Sequence, residues 1–318
     1  MNNSTLTAID GVRVGHATDL QGGTGLSVIL FDPPACGAAD ILGMATSSRQ
    51  MDSLGMMHPG SQINALCLAG GSAFGLGAAT GAVRYLEDKG VGMDLFVARL
   101  PIVPCAVLYD LSFMDAHARP TEAMAYDACC KASAAPVEQG CVGAGTGATC
   151  GKLRGTNNAT KSGLGSALVD EGIKVGALVV ANPFGDILDQ KGRIIAGARD
   201  ENGFIDSHAQ ILHGEVKKQM GAPGNTTLCV IVTDAEMDKI MAMQVARMAG
   251  RGLASCISPY NTPVDGDMVI CLSVGQKQAH PLRLGVMASQ AATDALMNAV
   301  KHAGGMGGLP SSHGQNRN

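Results

Sequence analysis

No cluster of lysine and arginine occurs along the 318 residues, and the formal net charge is −4. Nucleic acids and anionic membrane surfaces are recognised through a concentrated positive field, so neither is an expected partner. The densest basic group, Lys217-Lys218, lies inside a polar stretch and reads as solvated surface. Apolar runs of membrane-spanning length are also missing. The opening residues, Met1-Asn2-Asn3-Ser4-Thr5-Leu6-Thr7, have neither the basic start nor the apolar centre of a secretory leader. A cytoplasmic location is therefore expected, where the ten cysteines would be reduced. None of them forms a Cys-x-x-Cys pair, which argues against a zinc or redox site of that kind. The 43 glycines follow no Gly-X-Y period, so they point to tight turns and close backbone packing rather than to a fibre.

What is present is ample core material, with 46% hydrophobic residues. Apolar runs bounded by Gly, Asp and Asn predict buried strands at Leu26–Phe31, Ala65–Ala69, Val175–Ala181, Leu228–Val232 and Met268–Val274. Helical periodicity predicts helices over Gly75–Lys89, Ala235–Ala249 and Leu284–His302. In the second of these, Met237, Ile240, Met241, Val245 and Met248 share one face and are expected to pack into the core. Strands mixed with helices predict a layered α/β or α+β protein. From about Pro183 to Asn225 the chain turns polar, and stretches of that kind inside a compact fold are usually functional or mobile.

Three motifs and two single residues invite a chemical reading beside a plainer one. Gly70-Gly71-Ser72-Ala73-Phe74-Gly75 follows a strand and opens a helix, like a nucleophile elbow, but Phe74 stands where the second glycine is needed. Amides at that turn could still bind an oxyanion. Gly143 to Lys152 resembles a phosphate-cradling loop in the wrong register, with Leu153 where Ser or Thr should follow the lysine. Asp265-Gly266-Asp267 is either a turn or a functional carboxylate pair, and Asn182 either a turn former or an oxyanion donor. His16 has no identifiable serine or acid to complete a triad and reads as structural.

As an ordered set, these motifs say more than any one of them. Gly15-His16-Ala17-Thr18-Asp19, Gly70 to Leu76, Pro101-Ile102-Val103-Pro104, Tyr109-Asp110, Val142 to Gly147, Ala181-Asn182, Asn225-Thr226-Thr227 and Asp265-Gly266-Asp267 closely resemble the L-aminopeptidase/D-Ala-esterase-amidase family. That family includes β-peptidyl aminopeptidases and nylon-oligomer hydrolases. The resemblance implies an α+β fold, a four-layer αββα sandwich of the N-terminal-nucleophile-like type shared with ornithine acetyltransferases. It also implies one self-processing domain over residues 1–318, cut between Asn225 and Thr226 into a large chain 1–225 and a small chain 226–318. Thr226 matches the nucleophile. Tyr109, Lys152 and Asn182 match positions that line the site, and Asp265 and Asp267 match an acidic pair beside it. The aminopeptidase branch uses serine, so threonine with two aspartates looks more like the nylon-oligomer hydrolases.

The implied chemistry is coherent. A threonine hydroxyl needs an adjacent base, and an α-amino group with a pKa of about 7.7–8.0 can serve once cleavage has freed it. Asn182 with amides near Gly71 and Ser72 would stabilise the oxyanion, and Lys152 would act electrostatically. The aspartates would either orient the new amine or bind a substrate ammonium. In a strand Thr226 and Thr227 point to opposite faces, and the resemblance selects Thr226. The expected activity is removal of an N-terminal residue from small peptides, amides or esters, without metal or cofactor, by a homo-oligomer. Two rival readings are an acyltransferase of the ornithine-acetyltransferase kind and a binding protein that has lost processing.

Overall fold

The computed structural model describes residues 3–60, 62–216 and 224–313, so Lys217-Lys218 lies outside the described residues. The principal strands are β1 (Val12–Asp19), β2 (Thr24–Ile41), β3 (Gln62–Ala69), β4 (Cys105–Val107), β5 (Leu164–Asp170), β6 (Lys174–Asn182), β7 (Thr226–Ala235) and β8 (Met268–Lys277). The helices are α1 (Ala79–Asp88), α2 (Glu122–Lys131), α3 (Ser207–Leu212), α4 (Lys239–Ala254) and α5 (Pro281–Lys301).

Pairing runs β5-β6-β7-β8-β2-β3-β4, with β1 on the other side of the first half of β2. The long strand β2 is shared: Leu26 to Leu30 pair with β3, whereas Cys36 to Ile41 pair with β8. Between these halves the register shifts at Asp32-Pro33-Pro34, where two prolines offer no ladder N–H. The result is two packed sheets joined through one strand.

Alternation along the strands separates three apolar layers. Ile29, Phe31, Leu66, Leu68, Leu178, Val180, Leu228, Val230, Ile270 and Leu272 meet between the sheets. Residues of opposite parity in β6, β7 and β8, such as Val179, Ile231 and Cys271, pack against α4 and α5. Leu26, Val28, Ala65 and Cys67 pack against α1 and α2. Helix, sheet, sheet and helix thus stack as αββα, as the resemblance implies. Among the described residues no helix is long and apolar enough to cross a membrane.

The apolar runs all lie in strands, though each strand extends past its run. The expected face of the second helix holds in part: Met237 and Val245 are buried in the core, and Met241 packs against it. That helix starts at Lys239, because β7 runs on to Ala235 and the Asp238 carboxylate caps Met241 N at 2.7 Å. Its buried face is Ala242, Val245, Ala246, Ala249 and Leu253, while Ile240 is 61% exposed. Small residues are required where α5 comes close: a Cβ on Gly252 would stand 2.7 Å from Ser289 O.

Candidate active site

Thr226 opens β7 directly opposite Asn182, the last residue of β6. By strand parity both side chains share the between-sheets face with Leu228 and Val180, and Thr227 takes the helix face with Cys229. Thr226 and Asn182 are both buried.

Lys152 is brought to this pair by the turn before it. Gly151 adopts φ +73°, and a Cβ there would lie 1.8 Å from Ala198 N, so only glycine fits. The Lys152 amide then donates to Phe184 O, just past the end of β6. Lys152 Nζ donates to Asn182 Oδ1 at 2.7 Å, to Asn182 O at 2.9 Å and to Gly224 O at 3.4 Å. Burial lowers its pKa to about 7, against the opposing pull of Asp265 and other neighbouring groups. Three acceptors suit an ammonium while burial favours the amine. With the pKa near 7, both forms are accessible around neutral pH.

The Asn225-Thr226 peptide is held at both ends. Asn225 O accepts from Gly266 N at 2.8 Å and from Thr226 Oγ1 at 2.5 Å. Asn225 Nδ2 donates to Val264 O at 3.2 Å. Gly266 has to be glycine, since a Cβ would sit 2.9 Å from both Ala45 O and Thr226 Oγ1.

The acidic pair braces backbone around this peptide. Asp267 Oδ1 accepts from Thr227 N at 2.6 Å and Oδ2 from Asn261 N at 3.1 Å. Asp265 Oδ1 accepts from Phe184 N at 3.0 Å, and Oδ2 accepts from both the amide and the hydroxyl of Thr262. Burial raises both carboxyl pKa values, and the charge of Asp265 raises that of Asp267 further. Tyr109 contributes its ring, which lies against Gly224, and its carbonyl, which accepts from Asn182 Nδ2 at 3.1 Å.

Gly71 and Ser72 are not available as oxyanion donors. Gly71 N donates to Asp110 Oδ1 at 2.6 Å and Ser72 N to Leu108 O at 2.9 Å. The buried Asp110, which also accepts from Thr24 Oγ1, pins the turn that looked free in sequence. His16 is structural: Nδ1 lies 2.8 Å from Ser27 Oγ, which accepts from Ala144 N, and burial lowers its pKa to about 4. Sequence reasoning missed the Gly266 amide, read only as part of a turn.

A cavity of about 970 Å³ opens beside the peptide, lined by Tyr109, Lys152, Arg154, Phe184, Gly224 and Asn225 among others. A buried hydroxyl at a strand head, a doubly engaged carbonyl and a nearby lysine are thus set in an αββα sandwich, the layering of the N-terminal-nucleophile hydrolase fold. The solved structure of an L-aminopeptidase D-Ala-esterase/amidase from Ochrobactrum anthropi, described as a variant of that fold, superposes with a TM-score of 0.73 at 20% identity, covering 97% of this chain and 88% of the other. The chain belongs to peptidase family S58, whose model matches residues 4–309. An uncharacterized aminopeptidase of Mycobacterium leprae is 35% identical over 297 residues, 87% of this chain and 80% of the relative. A 6-aminohexanoate-oligomer endohydrolase of Kocuria sp. is 30% identical over 310 residues, 92% of this chain and 84% of the relative.

Proposed function

We propose that this protein is a self-processing amidohydrolase that acts on small peptides, amides or esters through an acyl-enzyme on Thr226. The observation that carries the reading is the Asn225 carbonyl, which accepts at once from the Gly266 amide and from the hydroxyl that would attack it. Family membership and the name of the Kocuria relative support amide hydrolysis as the chemistry.

In the uncut chain no α-amino group is available at residue 226, so the first base must be a side chain. Lys152, whose pKa falls to about 7, is the candidate, acting directly or through water. Thr226 Oγ1 bonds to the Asn225 carbonyl carbon and gives up its proton to the base. The oxyanion keeps the Gly266 N–H as donor. The C–N bond then breaks, the proton passes to the Thr226 nitrogen, and water hydrolyses the ester. The products are an Asn225 carboxylate and a free Thr226 amine. In turnover that amine takes the hydroxyl proton, an external acyl group occupies the place Asn225 had, and water completes the cycle. Asp267 keeps Thr226 in position by holding the next amide.

Intact mass spectrometry tests this. Purified protein is expected to give two chains, 1–225 and 226–318, and Thr226→Ala to give one inactive chain. A wild-type chain that stays whole through prolonged incubation while hydrolysing amides would overturn the nucleophile assignment. Homo-oligomerisation, read from the resemblance, and a cytoplasmic location belong to the same proposal.

A further inference from the structure

The polar stretch that begins near Pro183 carries an apolar wall. Asp186, almost wholly buried, gathers it: Oδ1 accepts from Ala198 N at 2.8 Å and from Ser207 Oγ at 2.9 Å, and Oδ2 accepts from Ser207 N at 2.6 Å. Three donors on one buried carboxylate fix the backbone at Ala198 and the start of α3 together. Ala198 and Ile205 then form a small separate core with Leu153, and Phe184 and Ile211 pack against it. Leu153, Phe184, Ile211 and Val264 all line the cavity beside Asn225.

Phe184 is the most firmly placed of these. Its amide donates to Asp265 Oδ1 at 3.0 Å and its carbonyl accepts from Lys152 N at 2.8 Å, so two residues of the site hold its backbone. It lies just past Asn182, which stands opposite Thr226 in the ladder. Its side chain is half-buried, packed on the small core and also lining the cavity. Gly224 and Asn225, on the acyl side of the bond to be cut, line the same cavity.

We infer that the site selects aminoacyl groups with an apolar side chain of about leucine size, with Phe184 as the residue that reads the side chain. An external aminoacyl group in the place Asn225 had would meet Leu153, Phe184 and Ile211 with its side chain. Val264 O, which accepts from Asn225 Nδ2 at 3.2 Å in the uncut chain, would accept from its ammonium. The substrate class is then amides and esters of leucine-like amino acids rather than of alanine or asparagine. This inference rests on the proposed function for its choice of the acyl side.

The test compares leucyl, alanyl and asparaginyl p-nitroanilides. Alanine lacks the side-chain bulk, and asparagine has nearly the shape of leucine but is polar and is the chain's own residue at 225. Wild-type protein is expected to favour leucyl over each of the others by about tenfold or more in kcat/KM, the scale of a few methyl groups in an apolar pocket and of a polar group left without partners. Phe184→Ala should bring both ratios to within about threefold of unity, whereas Phe184→Leu should keep most of the preference. Intact mass spectrometry checks that each variant is cut. If Phe184→Ala is not cut, Ile211→Ala removes another part of the wall and should lower the same ratios. A wild-type leucyl preference at or below one, or ratios unchanged in these alanine variants, overturns the inference. Protein that is cut and hydrolyses all three anilides equally keeps the amidase reading and refutes the selectivity. Protein that stays uncut and inactive refutes the amidase reading, and equilibrium binding then decides the wall. Leucinamide held about tenfold more tightly than asparaginamide, with the difference lost in Phe184→Ala, supports the apolar site, and equal binding overturns it.

Discussion

Lys152 carries the clearest pH signature. If its neutral form starts self-cleavage, the cleavage rate should rise with pH through about 7 and then level off. Quenched samples of newly refolded protein, resolved by mass, would measure this, and a rate that falls across the same range would require the ammonium instead. Stability follows the same proton. The folded lysine releases it near 7 and the unfolded one near 10.5, so between these values the unfolded chain binds more protons and stability rises with pH. The cost of burying the charge is fully present below about 7. Thermal melts from pH 7 to 9 should therefore show an upward trend that Lys152→Met reduces. At Gly266 the expectation is steric: Gly266→Ala places a methyl against Thr226 Oγ1 and Ala45 O, and should slow cleavage by about tenfold or more. Thr226, Lys152, Asn182 and the aspartates were legible because their side chains sit in recognisable motifs. The Gly266 N–H was not, since a backbone donor has no sequence signature. The Gly71 and Ser72 amides were misread because the carboxylate that occupies one of them, Asp110, is distant in sequence.

Among the elements, β7 is held on both sides, antiparallel to β6 and parallel to β8. The parallel connection needs a crossover, and α4 supplies it. Leu228 and Val230 lie fully buried between the sheets. Leu228→Ala should cost about 2–5 kcal/mol, read as a lowered denaturation midpoint, and loosen the strand that presents Thr226. The strand centres were legible because sheets buried on both faces give continuous apolar runs. By contrast, β1 mixes exposed Arg13 and half-buried His16 with its apolar residues, and the short α2 buries mainly Ala125, Ala128 and Cys129. Neither pattern stands out. The methionine stripe caught only part of the packing face of α4 for a related reason: close approach to α5 also selects alanine and glycine, which rank low as hydrophobes but let backbones meet.

For the whole molecule, the strand order decides what a cut at Asn225-Thr226 would do. Residues 226–318 supply β7 and β8, which are adjacent in the sheet, with α4 packed on β8 and α5 reaching across β5 and β6 of the preceding part. On one side β7 pairs with β6, and on the other β8 pairs with β2, both from the preceding part of the chain. The downstream fragment would thus be clamped between two strands of the upstream one, so breaking the covalent link would leave every ladder in place. Cut protein should elute from a sizing column as one species and yield two chains only in denaturant. Refolding the separated chains should be slower than refolding the intact precursor, because the sheet would have to be assembled by a bimolecular encounter. The bond joining residues 225 and 226 would then serve assembly before it serves catalysis, a temporary tether consumed by the protein it helped to build.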